Sequence, residues 1–374
     1  MARARRPADR RLLRHHASAH RCAARLDRSR RPGGSLTRLA PHERPEVDRP
    51  ADVDPDAVMT VFRVPKEMAG MRVDCFLQTQ LKDSSRTRAK AIVKVAARSL
   101  EGTRLRPNAR VAAGQVLVLW RPPWDEVELE IDIGILYEDG HIVIIDKPAG
   151  LPVHPSARYY RNTVVKMMAR KFPSEHLVLA HRLDRETSGV LVLARTAAAD
   201  RKIKKQFEAR TGVEKSYLAI TWGWPERDEF RVELPLERDP KSRLRVAMRV
   251  AAPGHGLDAA TRVTVLERRQ KDDRRYALVR CDLETGRQHQ IRVHLKAVGC
   301  PVLGDKIYGP DSELHARFSD GTLTEADRSV LELSRHALHA ARLVIRHPIS
   351  DEPMVIEAPL PADMRAFLDA LDPV

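Results

Sequence analysis

Two polar stretches of this 374-residue chain gather the residue types that nucleophilic and acid–base chemistry requires. The first, His181-Arg182-Leu183-Asp184-Arg185-Glu186-Thr187-Ser188-Gly189, lies between two short apolar runs, Leu177–Ala180 and Val190–Ala194. The second, Glu284-Thr285-Gly286-Arg287-Gln288-His289-Gln290-Ile291-Arg292-Val293-His294, follows the run Tyr276–Leu283. A loop of ionisable side chains between buried strands is a good address for chemistry, because the strands hold it rigidly. A structural duty competes with that reading. Asp184 has Arg182 and Arg185 beside it to pair with, and Asp-x-x-Thr loops often act only as caps. The loop alone leaves both readings open. His289 and His294 are five apart and do not share one helical face, so they are not a metal pair. The four cysteines, Cys22, Cys75, Cys281 and Cys300, contain no Cys-x-x-Cys spacing. That excludes a zinc ribbon and fits reduced thiols in a cytoplasmic setting.

These loops need elements to position them. Leu177–Ala180 and Val190–Ala194 read as strands. So does Ile142–Ile145, which follows the turn Glu138-Asp139-Gly140 and runs into a stiff loop, Lys147-Pro148-Ala149-Gly150-Leu151-Pro152-Val153-His154-Pro155. Thr163–Lys171 predicts a helix with Val164, Val165, Met167 and Met168 on its apolar side. Thr196 caps another, in which Ala199, Ile203 and Phe207 recur every four residues and Gly212 ends the run. Its outer face carries Arg201, Lys202, Lys204 and Lys205. Val213–Gly223 predicts a strand with Lys215, Tyr217 and Ala219 on one face. Tyr217 is one of only 6 tyrosines, although a lone strand tyrosine is usually half-buried packing. Arg262–Glu267 and Tyr276–Leu283 predict further strands. Ile291, Leu295 and Val298 then continue at helical spacing, with Arg287 near the helix start. Gly304-Asp305-Lys306-Ile307-Tyr308-Gly309 closes the block with a turn, and residues 310–334 form an acidic insert to which no role is assigned.

The formal charge is +15, and it is unevenly spread. Residues 1–40 hold 12 arginines against Asp9 and Asp27. A basic excess points to a polyanion such as nucleic acid. Residues 1–57 are rich in Arg, Pro, His and Ala without a sustained period, and so are expected to be disordered. They read as an RNA-gripping arm, a transit peptide, or the product of a mis-called start with Met59 near the true beginning. No apolar segment approaches the ~18 residues of a membrane span. Residues 58–121 form a small unit. Met71, Phe76, Leu77 and Leu81 mark a short helix, and Ser84-Ser85 caps a second one carrying Ala89, Ile92, Val93 and Ala96. The opposite face of that second helix presents Arg86, Arg88, Lys90 and Lys94, and a strand, Val116–Trp120, follows Gly114. Pro122-Pro123 leads into the second domain, residues 127–374.

The small unit resembles the alpha-L RNA-binding motif, through Arg72-Val73-Asp74 and Ser85-Arg86. Leu100-Glu101-Gly102 departs from that motif's usual hairpin. The second domain resembles the RluA-type pseudouridine synthase family. The resemblance rests on Lys147-Pro148-x-Gly150-Leu151-x-Val153-His154-Pro155, His181-Arg182-Leu183-Asp184 with Thr187-Ser188-Gly189, and Lys215-x-Tyr217-x-Ala219. It continues in Thr285-Gly286-Arg287-x-His289-Gln290-Ile291-Arg292-x-His294 and Gly304-Asp305-x-x-Tyr308. All appear in the family's order. The resemblance implies an α+β catalytic domain on a mixed, mainly antiparallel central sheet. It also implies isomerisation of uridine to pseudouridine in RNA, most simply in large-subunit rRNA or a pre-ribosomal particle, without cofactor, metal or membrane. It makes Asp184 the reacting carboxylate, Arg292 its guanidinium partner and Tyr217 the ring that stacks on uracil. Arg182 fills the space left by the extruded nucleotide, and His181, Thr187, Arg287, His289 and Gln290 complete the substrate-binding set. Arg86, Arg88, Lys90, Lys94, Arg201 and Lys205 are then phosphate-binding candidates. The rivals are a tRNA or organellar RNA substrate, and a non-catalytic ribosome-assembly factor on the same scaffold.

Overall fold

The computed structural model describes residues 38–40, 43–55, 57–81, 85–121, 126, 129–155, 159–209, 212–242, 244, 246–311, 313–320 and 322–374. Most of the Arg-rich tail, Cys22, Ser84, Pro122-Pro123 and Val127 therefore lie outside the described residues. The chain divides into two units between residues 123 and 124.

In the first unit, β1 (Val58–Arg63) pairs with β3 (Val116–Arg121), which also pairs with β2 (Ala97–Ser99). Two helices cover this sheet, α1 (Val73–Gln80) and α2 (Arg86–Ala96). Their apolar positions, Phe76, Leu77 and Val93 among them, meet Phe62, Leu117 and Leu119 in one core. Ser85 caps α2 by accepting the Arg88 N–H at 3.2 Å. Asp74 is buried and takes the Arg72 guanidinium in two bonds, at 3.0 and 2.8 Å. The end of the expected tail does not follow its composition. Leu39 is buried with its N–H on the Val61 carbonyl at 2.9 Å, and Asp52 pairs with Arg98 at 2.7 Å and Arg104 at 2.8 Å. Nearly buried Arg98 requires an anion, and the acidic end of the tail supplies one.

The described residues of the second unit are built on an eleven-stranded sheet. In chain order its first strands are β4 (Gly134–Glu138), β5 (Ile142–Lys147), β6 (Val178–Leu179), β7 (Ser188–Ala194), β8 (Glu214–Trp222) and β9 (Glu229–Glu233). A two-stranded ribbon follows, β10 (Leu236–Arg238) with β11 (Met248–Val250). The sheet resumes with β12 (Ala260–Lys271), β13 (Arg274–Leu283), β14 (Leu338–Arg346), β15 (Pro353–Glu357) and β16 (Asp372–Pro373). The spatial order is β16-β12-β13-β8-β14-β7-β5-β4, with β9 on β12, β6 on β7 and β15 on β14. Among the described residues only β14 and β7 run parallel, through His339↔Ser188 and Ala340↔Gly189. The sheet is thus mixed and mainly antiparallel.

Helices α3 (Val164–Lys171) and α4 (Ala197–Ala209) explain the unbroken apolar runs of β5 and β7. Val143, Ile145, Leu191 and Leu193 pack with Val164 and Met168, while Ile142, Ile144, Val190 and Val192 pack with Ala199 and Ile203. Strands buried on both faces lose polar alternation. Under β8, β12 and β13, a third core takes Ile291 and Leu295 from α5 (Gln290–Ala297). The insert forms α6 (Leu314–Asp320) and α7 (Glu325–Leu331), and α8 (Ala362–Asp369) adds Met364 and Leu368 to the third core. No helix among the described residues is long and apolar enough to cross a membrane.

Candidate active site

The β6–β7 connection carries Asp184, the middle of β8 carries Tyr217, and α5 carries Arg292. All three line one cavity of about 310 Å³, together with Arg182, Arg287 and His289. Asp184 does not pair with its sequence neighbours. Arg185 turns to Glu186 and the Tyr159 hydroxyl, and Arg182 is exposed at the cavity without an ion pair among the described residues. Asp184 pairs instead with Arg292, whose Nη1 donates to Asp184 Oδ2 at 3.1 Å.

Arg292 is held from behind. Its Nε and Nη2 donate to the two oxygens of Asp305 at 2.6 and 2.8 Å, and Asp305 Oδ1 also accepts the N–H groups of Ile307 and Tyr308. Burial works against charge on Arg292, but Asp305 and then Asp184 outweigh it and hold the guanidinium above its usual pKa. Burial likewise opposes the Asp305 carboxylate, and Arg292 outweighs it, so that its pKa lies below the usual range. The fork geometry is the bidentate one that only arginine provides. It leaves a single donor, Nη1, directed at Asp184.

The Asp184 side chain is 26% exposed. Both neighbours, Arg292 and His289, approach Oδ2, and Oδ1 has no hydrogen-bond partner among the described residues. Tyr217 is held as a phenol, because burial and then the Asp184 charge push its pKa up. An anion with one oxygen fixed and one open, beside a neutral aromatic ring, suits attack on or charge stabilisation at an electron-poor carbon.

The other sequence-predicted substrate residues, His181, Arg182, Thr187, Arg287, His289 and Gln290, all line the cavity. Arg287 Nε also donates to the Asp258 carbonyl at 3.0 Å. His181, Thr187 and Gln290 brace the loops as well. His181 Nε2 accepts the Val192 N–H at 3.1 Å, and burial lowers its pKa to about 3. Thr187 Oγ1 bonds His336 Nε2 at 2.8 Å. Gln290 Oε1 accepts from Thr285 and the Arg287 N–H, while its Nε2 donates to Ala260 and Thr261. Arg287 stands in the loop before α5, because His289 adopts a left-handed backbone (φ 56°) that a helix cannot continue. Arg201 and Lys205 are exposed on α4. Arg86, Arg88, Lys90 and Lys94 are exposed on α2 of the other unit. A cleft of about 1190 Å³ adjoins the cavity, sharing His181, Lys215 and Arg287 and adding Arg262, Arg280 and Arg342.

Sequence reasoning assigned no role to three supporting residues. Asp305 sits in a turn, and only its position between Gly304 and Tyr308 marked it. Tyr308 bonds His289 Nδ1 at 2.7 Å. Lys147 is fully buried, with Nζ donating to the carbonyls of Pro148 and Leu151 at 2.8 Å and Arg185 at 3.0 Å. It ties the proline-rich loop to the Asp184 loop, although burial pulls its pKa down to about 7.

The cavity thus gathers a part-exposed carboxylate, the buried guanidinium that holds it and a neutral aromatic ring, on loops and strands of one mixed sheet. The sequence pattern for RNA pseudouridylate synthase matches residues 141–297, and the chain belongs to that family. Its relatives include the ribosomal large subunit pseudouridine synthase D of Xanthomonas campestris pv. campestris, 36% identical over 82% of this chain and 91% of that protein. The protein of the same name from Pseudomonas aeruginosa is 35% identical over 84% of this chain and 97% of its own length. Human RNA pseudouridylate synthase domain containing 1 shares the fold, with a TM-score of 0.53 and 23% identity over 67% of this chain and 91% of that one.

Proposed function

We propose that this chain converts specific uridines of large-subunit rRNA to pseudouridine, with Asp184 as the reacting carboxylate. The carrying observation is the arrangement of Asp184 at the cavity: Oδ2 is held by Arg292, and Oδ1 has no hydrogen-bond partner among the described residues. The carbon–nitrogen bond between ribose C1′ and uracil N1 breaks, C1′ bonds to uracil C5, the C5 proton leaves and N1 gains a proton. Atoms and electrons balance within the nucleotide and its solvent. Asp184 stabilises or captures C1′ while the ring turns, and Tyr217 supplies a face on which uracil stacks.

The reacting bond is inaccessible in a stacked helix, so the uridine is everted into the cavity, and Arg182 occupies the gap it leaves. Arg201 and Lys205, with Arg262 and Arg287 of the adjoining cleft, hold the flanking phosphates. The first unit is read as an alpha-L RNA-binding module, with Arg86, Arg88, Lys90 and Lys94 as its phosphate contacts. The large-subunit substrate is supported by the names of the relatives, and the cytoplasm is the matching compartment. An intact Asp184–Arg292 pair beside Tyr217 speaks against a non-catalytic assembly factor.

The test is tritium release from [5-³H]uridine-labelled transcripts of large-subunit rRNA. Release is expected from the wild-type chain and none from Asp184→Asn, with RNA affinity kept within about tenfold. Release from tRNA transcripts alone moves the substrate. No release from either defeats the reading.

A further inference from the structure

His289 is the N-cap residue of α5, yet its side chain makes no bond to that helix. The ring lies between Tyr308 and Asp184. Nδ1 is 2.7 Å from Tyr308 Oη, and Nε2 is 3.7 Å from Asp184 Oδ2. A third group settles which nitrogen carries hydrogen. Met248 N–H can only donate to Tyr308 Oη, at 2.8 Å, which leaves His289 Nδ1 as the one acceptor for the buried hydroxyl's hydrogen among its described partners. Nδ1 therefore accepts, and Nε2–H points at the carboxylate. Burial, reinforced by Arg292, lowers the pKa of the ring to about 4, which makes His289 a neutral donor near pH 7. Tyr308 is itself pinned: its N–H donates to Asp305 Oδ1 at 3.0 Å, and its ring lies under the Arg292 guanidinium at 5.0 Å.

We propose that His289, fixed in its tautomer by Tyr308, is a positioning residue whose Nε2–H closes on Asp184 Oδ2 when a uridine fills the cavity. This rests on the reading of Asp184 as the reacting carboxylate. With a nucleotide in place, Oδ2 holds two donors and Oδ1 is the oxygen presented to the ribose. A separation of 3.7 Å is too long for a hydrogen bond, and catalytic contacts commonly tighten when the substrate is bound. A neutral donor fixes the carboxylate without setting a second cation beside it.

The experiment uses the full chain and the labelled transcript that the wild type modifies, with single-turnover rate and RNA affinity measured separately. Asn offers a group at the Nδ1 position and nothing at Nε2; Gln offers a donor at Nε2. His289→Asn is expected to slow the single-turnover step about ten- to a hundredfold, the range for losing a hydrogen bond to a charged group. RNA affinity should stay within about threefold. His289→Gln should recover most of the rate. Tyr308→Phe, which frees the tautomer, should fall about as far as His289→Asn, and the double variant no further. An unchanged rate in His289→Asn, a loss confined to affinity, failure of Gln to restore the rate, or multiplying effects in the double variant would each overturn the proposal. If His289→Asn does not fold, Tyr308→Phe alone decides it by the same rate loss at unchanged affinity. A wild-type chain that releases no tritium from any transcript is a different result, and defeats the reading of Asp184 instead.

Discussion

Asp184 and Asp305 share one guanidinium, and exchanging each for its amide separates their duties. Asp305 is fully buried and meets Arg292 in two bonds, at 2.6 and 2.8 Å. In Asp305→Asn, a carbonyl oxygen can still accept from Ile307 and Tyr308, but the new amide N–H faces a guanidinium N–H. Removing one partner of a buried ion pair costs about 3–5 kcal/mol. In a unit of this size each kcal/mol lowers Tm by about 2–4 °C, so the melt should fall by about 6–20 °C. Turnover should drop as well. Arg292 loses its fork, and a misdirected charge-assisted bond to Asp184 is worth about 1.5–3 kcal/mol, or roughly ten- to a hundredfold in rate. Asp184 is part-exposed and carries one bond at 3.1 Å. Asp184→Asn should therefore change stability by no more than about 1 kcal/mol while abolishing turnover. Thermal melts and tritium release on the two variants read both effects. An Asp305→Asn chain with wild-type Tm and a rate within about twofold would refute the argument that Asp305 aims Arg292.

Three further outcomes are expected. Gly189 has φ 108°, and a Cβ there would overlap the Ala340 carbonyl, so Gly189→Ala should break the β7–β14 pairing and cost more than about 4 kcal/mol in urea unfolding. Burial lowers the pKa of His339 to about 4 from its ordinary 6.5. Between those values the unfolded chain binds a proton that the folded one refuses. Stability therefore falls as pH drops from 6.5 to 4, by at most about 3 kcal/mol for this residue, and His339→Gln should flatten that part of a pH–stability curve. Replacing Arg201 and Lys205 by Ala should reduce the slope of log affinity against log salt by about one to two, measured by filter binding between roughly 50 and 200 mM salt.

Much of the site was legible because its loops sit between elements with strong local signals. Val190–Ala194 lies within β7, Thr163 and Thr196 stand where their helices begin, and the β8 prediction is right to within a residue at either end. The Asp184–Arg292 pair came from the family resemblance and not from spacing, since the two are 108 residues apart and periodicity carries no long-range register. Asp305, Tyr308 and Lys147 escaped a role for a physical reason. Each acts through hydrogen bonds made by a buried polar group, and burial of a charged residue is invisible in a local pattern. His181, Thr187 and Gln290 entered the substrate-binding set through the resemblance; they line the cavity, and the loop-bracing bonds they also make are not legible in a polar loop, where residues that face a ligand and residues that brace the backbone look alike. The strand β14 was not foreseen at all, because its neighbours β7 and β8 lie more than a hundred residues earlier.

That late strand has a consequence for biosynthesis. Residues 338–346 run between β7, which follows the loop of Asp184, and β8, which bears Tyr217, and they pair with both. As the polypeptide leaves the ribosome, the two halves wait with open edges until this piece emerges and zips them together. The sheet that joins the Asp184 loop to the Tyr217 strand is therefore closed by a piece made more than a hundred residues after either.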